Sequence, residues 1–126
     1  MYLKFKTILF NKLVSCSVNY IKNQIISEKG IIIGRIEDRG EETPKVLPVF
    51  QFTGRKDKDG EEIYIDHKIQ IIIEVNDGEF HSSQRYVFWD GDSISLKSIN
   101  SSSFITNSLG NYPDDKIKII GHRFFD

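Results

Sequence analysis

The run QFTGRKDKDGEEIY, residues 51–64, sets a cluster of charge and glycine between two apolar arms. Val49, Phe50 and Phe52 belong to the first arm and Ile63, Tyr64 and Ile65 to the second, all residue types that suit a pleated, half-buried surface. Asp59-Gly60 is the turn dipeptide, because glycine takes φ > 0 without steric cost and aspartate tolerates it. Two apolar runs about an Asp-Gly turn predict a β-hairpin with strands near 49–53 and 62–66. The tip carries Arg55, Lys56, Asp57, Lys58, Asp59, Glu61 and Glu62; its charges nearly cancel, so it is expected to be solvated. A calcium loop would also begin Asp57-x-Asp59, but it needs glycine sixth and a bidentate glutamate twelfth. Here Gly60 is fourth and Lys68 twelfth, which argues against calcium.

Upstream, Glu37 to Lys45 (EDRGEETPK) is a charged loop with Gly40 and Pro44 and no periodicity. Ile31 to Ile36 reads as a short buried strand, set off by a Glu28-Lys29-Gly30 turn. Asn11 to Ser27 carries two patterns. Val14, Val18, Ile21 and Ile25 follow helical spacing, whereas Val14, Cys16, Val18 and Tyr20 alternate. The many β-branched residues and the scarcity of Ala, Leu and Glu favour strands. Leu3, Phe5 and Thr7 alternate with Lys4 and Lys6 as a half-buried strand, and Ile8-Leu9-Phe10 then breaks the alternation like a bulge or a strand covered on both faces.

Downstream, Lys68 to Val75 sets Ile69, Ile71 and Ile73 on one face and Ile72 and Val75 on the other. Asn76-Asp77-Gly78 and Asp90-Gly91 are turns on either side of a strand ending in Tyr86-Val87-Phe88-Trp89. Of the last pair, Phe88 is expected in the core and Trp89 beside the turn, partly exposed, where an indole keeps its N–H wet. Ser93 to Lys97 is the next strand. Ser98 to Asp115 is a Ser/Asn-rich connection, long enough to need a helical turn or a short strand near Ser103 to Thr106. Lys116 to Phe125 closes the chain as a strand. Short strands at this spacing predict a mainly β domain, either a small SH3-like barrel or a β-sandwich. Residues 46–126 would form its core, with residues 1–45 adding N-terminal strands and the charged loop to a single domain of 1–126. The choice of an SH3-like barrel leans on analogy between folds.

Gln51, Phe52, Thr53, Gly54, Asp57, Asp59, Gly60, Ile63 and Tyr64 match a pattern Q-[YF]-T-G-L-x-D-x-[ND]-G-x-x-I-Y-E-G-D-I-V. Phe88-Trp89-Asp90-Gly91 and Ile119-Ile120-Gly121-His122 follow in order, and Lys4-Phe5-Lys6 precedes them. In these features the chain resembles the YopX family of small phage and prophage proteins, most clearly over residues 46–75 and least before 46. Arg55 stands where the family usually has Leu, and Ile65-Asp66-His67 where it has Glu-Gly-Asp. The resemblance implies a phage or prophage gene expressed in a bacterial host cytoplasm. It brings no catalytic residues, because the family has no established activity.

Chemistry is sparse. The 126 residues are 39% hydrophobic and 28% charged with net charge −1, so no global attraction to nucleic acid or anionic membrane is expected. Residues 1–30 are locally basic, with Lys4, Lys6, Lys12, Lys22 and Lys29 against Glu28. One cysteine, Cys16, excludes an internal disulfide and suits a reducing compartment. There is no signal-peptide pattern at the N-terminus and no apolar run long enough to span a membrane. His67, His81, His122 and Cys16 lie on different elements without zinc spacing, so the histidines read as surface or turn residues and no metal is expected. Ser101, Ser102 and Ser103 lie in a serine-rich loop, Cys16 on an apolar stripe, and the paired acids on loops; no catalytic constellation and no cofactor motif emerges.

Binding is what remains. The leading expectation is a non-catalytic accessory protein that binds a bacterial or phage protein, with an anti-CRISPR-like inhibitor of host defence as the sharpest form the resemblance implies. The alternative is a small β-barrel binding nucleic acid through Arg55, Lys56, Lys58, Tyr86 and Trp89, the same residues that would serve a protein partner. A second alternative is sequestration of a nucleotide signal. Open strand edges would also invite self-association.

Overall fold

The computed structural model describes residues 4–76, 78–91, 93–98 and 107–125, and they group into two compact units, Met1–Phe52 and Thr53–Asp126. The chain is mainly β and antiparallel, as expected. Among the described residues the strands lie in two antiparallel sheets with no closed barrel, so the sheet-rich part of the expectation is what the structure supports.

In the N-terminal unit the strand order is β4-β3-β2-β1-β5, from β1 (Phe5–Leu9), β2 (Lys12–Asn19), β3 (Gln24–Ser27), β4 (Ile32–Gly34) and the first half of β5 (Val49–Lys56). The ambiguity over residues 11–27 resolves as strands. What breaks the alternation at Phe10 is neither a bulge nor a doubly covered strand but a two-residue turn. Phe10 and Asn11 sit at φ 52° and 61°, the left-handed pair whose twist matches a tight hairpin. The next turn is pinned by Asn23, buried and left-handed at φ 55°. Its side chain accepts the N–H groups of Ile36 (3.1 Å) and Glu37 (3.0 Å) and donates to the Glu37 carbonyl (2.8 Å), anchoring the start of the charged loop. Ile31 to Ile36, expected as a buried strand, is a three-residue edge strand with Ile32 exposed. The core of this unit is Phe5, Ile25 and Phe50, with Thr7 buried beside them and donating to the Pro48 carbonyl at 2.6 Å.

In the C-terminal unit the second half of β5 neighbours β6 (Glu62–Tyr64). A five-stranded sheet follows in the order β10-β9-β8-β7-β11, made of β7 (His67–Asn76), β8 (Glu79–Asp90), β9 (Ser93–Ser98), β10 (Asn107–Ser108) and β11 (Ile117–His122). Strand β8 covers the run Phe80 to Trp89 read as a strand in the sequence, with one residue more at each end, and pairs with β7 over its whole outer half. The core gathers Ile63, Ile69, Ile71, Val87, Leu96, Leu109 and Ile117. Burying such a side chain is worth about 1.5–3 kcal/mol each. Leu109 reaches the core from a 3-10 turn (Leu109–Asn111), one of two such turns in the described part of the Ser/Asn-rich connection. The strand expected near 103–106, with Ser101, Ser102, Ser103 and Phe104, lies outside the described residues, as does Asp77 of the 76–78 turn. Among the described residues no helix is long and apolar enough to cross a membrane.

The central hairpin forms where expected, with Gly60 at φ 81°. A side chain there would meet nothing within 4 Å, so any cost of substitution is the backbone's alone. Gly60→Val is therefore expected to lower stability by roughly 1 kcal/mol or more, since a β-branched residue avoids φ > 0. Urea denaturation measures it, and an unchanged midpoint would mean that the turn is not held in this form.

Candidate functional site

The hairpin tip keeps Lys56, Lys58, Asp59 and Glu61 exposed, as expected, but it is docked through one residue, Asp57. Asp57 is 5% exposed. Its Oδ1 accepts the N–H groups of Asp59 and Glu61, both at 2.9 Å, and its Oδ2 accepts that of Ile119 on β11 at 3.0 Å. Burial works to raise its pKa, but the three N–H donors and the nearby Lys118 outweigh it and hold the carboxyl below its ordinary value. Lys58 donates its backbone N–H to the Ile117 carbonyl (2.8 Å), and Lys118 pairs with Asp59 at 2.9 Å. The tip is thereby tied to β11 by main chain and side chain.

Of the five candidate binding residues, Arg55 is committed to the fold. Its Nε donates to Asp114 Oδ1 (2.7 Å), Nη1 to the Leu109 carbonyl (3.2 Å) and Nη2 to the Tyr112 carbonyl (2.6 Å). Lys56 and Lys58 stand exposed at the hairpin end. Tyr86 and Trp89 are three residues apart on β8 and so face opposite sides of the sheet. Trp89 is 41% exposed beside the turn, as expected. Phe88 is not the core residue: it is half-buried, and Val87, fully buried opposite Leu96, fills that place. The reason is that Ile69, Ile71 and Leu96 all present their buried side to the face of Val87, which leaves Tyr86 and Phe88 on the other.

On that other face Tyr86 and Phe88 line a cleft of about 400 Å³ with Asp66, Lys97, Ser98 and Arg123. Lys97 is the β9 partner of Tyr86, and Lys68 its β7 partner, so two lysines flank the phenol across three strands. Asp66 occupies the turn after β6 at φ 69°. Its backbone is fixed at both ends: its N–H donates to the Val87 carbonyl and its carbonyl accepts from Arg123, each at 2.8 Å. The Arg123 guanidinium stands 3.6 Å from the Asp66 carboxylate.

The histidines depart from expectation too. His67 and His122 are both buried, adjacent across β7 and β11, with ring centroids 5.3 Å apart; His81 is exposed. His67 Nδ1 accepts the Tyr64 N–H (2.8 Å), and His122 Nδ1 accepts the Phe124 N–H (3.3 Å) while its Nε2 lies 3.2 Å from the Ile65 carbonyl. A ring nitrogen facing a carbonyl must donate, which places the His122 proton on Nε2. Among the described residues no group of three or more His, Cys, Asp or Glu is arranged to hold a metal ion. Cys16 is half-buried on β2, and burial pushes its thiol up to about 11, so it is protonated at neutral pH.

The N-terminal unit exposes several large apolar side chains among its charged ones. The β1–β2 and β3–β4 turns lie at the same end of the sheet, because β2 and β3 run antiparallel between them. That end shows Phe10 (87% exposed), Ile31 (60%) and Ile32 (48%). Leu9, Val14 and Ile33 line a shallow recess of about 220 Å³ there with Glu28 and Lys29. Tyr20 and Ile21 are exposed at the opposite end. Their apolar character is visible in the sequence, but their exposure is not, since an apolar residue in a strand-rich segment reads as core.

No curated protein and no solved structure matches the chain. The family model described as YopX protein matches residues 1–124, so the likeness concentrated in 46–75 extends over nearly the whole sequence. The chain belongs to the YopX family.

Proposed function

We propose that this protein acts by binding another protein, without catalysis, through the Phe10 end of its N-terminal sheet. The observation that supports it is the placement of Phe10. A non-glycine residue in the left-handed region costs about 1–2 kcal/mol, and at 87% exposure its ring recovers almost nothing by burial. Local stability therefore gives no account of an aromatic at a position that suits Asn or Gly. Set beside exposed Ile31 and Ile32 and the recess under them, it has the make-up of an interface anchor. Lys12 and Lys29 at the same end fit a partner surface that is apolar with an acidic rim. Family membership supports a phage- or prophage-type protein; the host cytoplasm as its place of action and a host-defence effector as its partner class belong to the proposal.

The test is a pull-down from bacterial lysate with tagged protein, with and without nuclease, followed by affinity measurement on the purified partner. Phe10→Ser with Ile31→Ser is expected to weaken binding by at least about 30-fold, the scale of a hot-spot anchor. Ile21→Ser, at the far end, serves as the control. A partner held equally by the double variant, or released by nuclease, would overturn this reading.

A further inference from the structure

The cleft beside β8 carries a second inference, independent of the first because it lies wholly in the C-terminal unit. We propose that it is a binding site for a nucleotide: one planar heteroaromatic base together with its phosphate. Three features converge on this chemistry. Tyr86 and Phe88 occupy successive positions on one face of the strand and offer a two-ring platform on which a base can stack. Lys97 and Arg123 stand at the rim as phosphate donors. Asp66 supplies the one acceptor that a base edge bearing N–H groups needs. Its carboxylate side chain is only 17% exposed, and backbone bonds on both sides hold its position.

Size and charge narrow the ligand further. A volume of about 400 Å³ is at the small end of ligand pockets and suits a single nucleotide, not a run of bases. The lining holds Lys97 and Arg123 against Asp66, so it is net cationic in a protein whose overall charge is −1. The Asp66–Arg123 separation of 3.6 Å is longer than a close charged hydrogen bond, which leaves the guanidinium room to turn toward an incoming phosphate. Asp66 favours bases with donors on their edge, guanine above all, over uracil or thymine. The shared chemistry could be met by a free mononucleotide or by one residue of a single strand, and the experiment separates the two.

The wild-type protein is titrated with guanosine, adenosine and uridine monophosphates, with inorganic phosphate, with guanosine, and with a ten-residue oligonucleotide. Binding is read by calorimetry and by NMR shift mapping. The expected result is saturable guanosine monophosphate binding with shifts centred on Tyr86, Phe88, Lys97 and Arg123. Tyr86→Ala should weaken it roughly 5–150-fold, the range that loss of one stacked base implies. Tyr86→Phe should keep it, and Lys97→Ala should weaken the nucleotide but not the nucleoside. Tighter binding of the oligonucleotide, abolished by Tyr86→Ala, would make the source a strand. Phosphate binding as tightly as the nucleotide, shifts located elsewhere, or affinity indifferent to Tyr86→Ala would overturn the proposal. None of these outcomes bears on the Phe10 end.

Discussion

Replacing Asp57 by alanine is expected to cost about 3–5 kcal/mol, a loss on the scale of truncating a buried core side chain. The carboxylate satisfies three backbone N–H groups, of Asp59, Glu61 and Ile119, at 2.9–3.0 Å. Alanine leaves all three without their acceptor in a place where the side chain was almost wholly buried, and each such donor costs about 1–3 kcal/mol, less than additively. The effect carries a pH signature. The folded-state pKa lies below the ordinary 3.8, so the contribution is complete above that value and is lost as pH falls through the depressed folded pKa. The wild type should thus lose stability on acidification below about pH 3.8 by a component that Asp57→Ala lacks. Urea denaturation at neutral pH and down to acid measures both. Equal midpoints for the two proteins at neutral pH would mean that the carboxylate does not hold β11 in solution.

Arg55→Ala should cost about 2–4 kcal/mol, from hydrogen bonds of roughly 1.5–3 kcal/mol each made by a charged guanidinium, discounted for partial exposure. The three donors of this one fork hold Leu109, Tyr112 and Asp114, and Leu109 is itself a core residue. Arg55→Lys should recover little, because an ammonium cannot reach three acceptors spread over that distance. Thermal or urea unfolding checks this, and a lysine variant as stable as wild type would show that the fork geometry is irrelevant. Arg55 departs from the leucine usual in the YopX pattern, and its work lies inside the fold. A binding assay that neutralises Arg55, Lys56 and Lys58 together would confound lost contacts with lost stability. Lys56 and Lys58 alone make the clean test.

These two residues also show where reading the sequence succeeds and where it stops. The turns were legible, since Asp59-Gly60, Gly78 and Gly91 each have local backbone needs that residue type reports. Strand content was legible for the same kind of reason, down to the choice of strands over helix in residues 11–27. Asp57 was not, because its third donor comes from Ile119, 62 residues away. The Phe10-Asn11 turn was missed because only Asn11 has the usual chemistry for it. Tyr86-Val87-Phe88-Trp89 is apolar at every position, so alternation separates two faces without saying which is inside; the partners on β7 and β9 decide that. His67 and His122 read as surface residues because their burial depends on the pairing of β7 with β11. Whether sheets stay open or close likewise rests on long-range register, which short strands do not encode.

The outer part of the β7–β8 hairpin has one more consequence, for how the protein can be handled. From Ile73 to Ser82 the described side chains stand in solvent, with Phe80 62% exposed, and the core contacts lie further down the ladder. Such an end opens at little free-energy cost compared with the body of the sheet. It is therefore the place to splice in a peptide tag or fluorophore, between Gly78 and Glu79, away from the Asp57 knot and on a different element from Phe10. A reporter placed there would ride on the strand that bears Tyr86 and Phe88, seven residues along it from Tyr86, and would leave the cleft itself unobstructed.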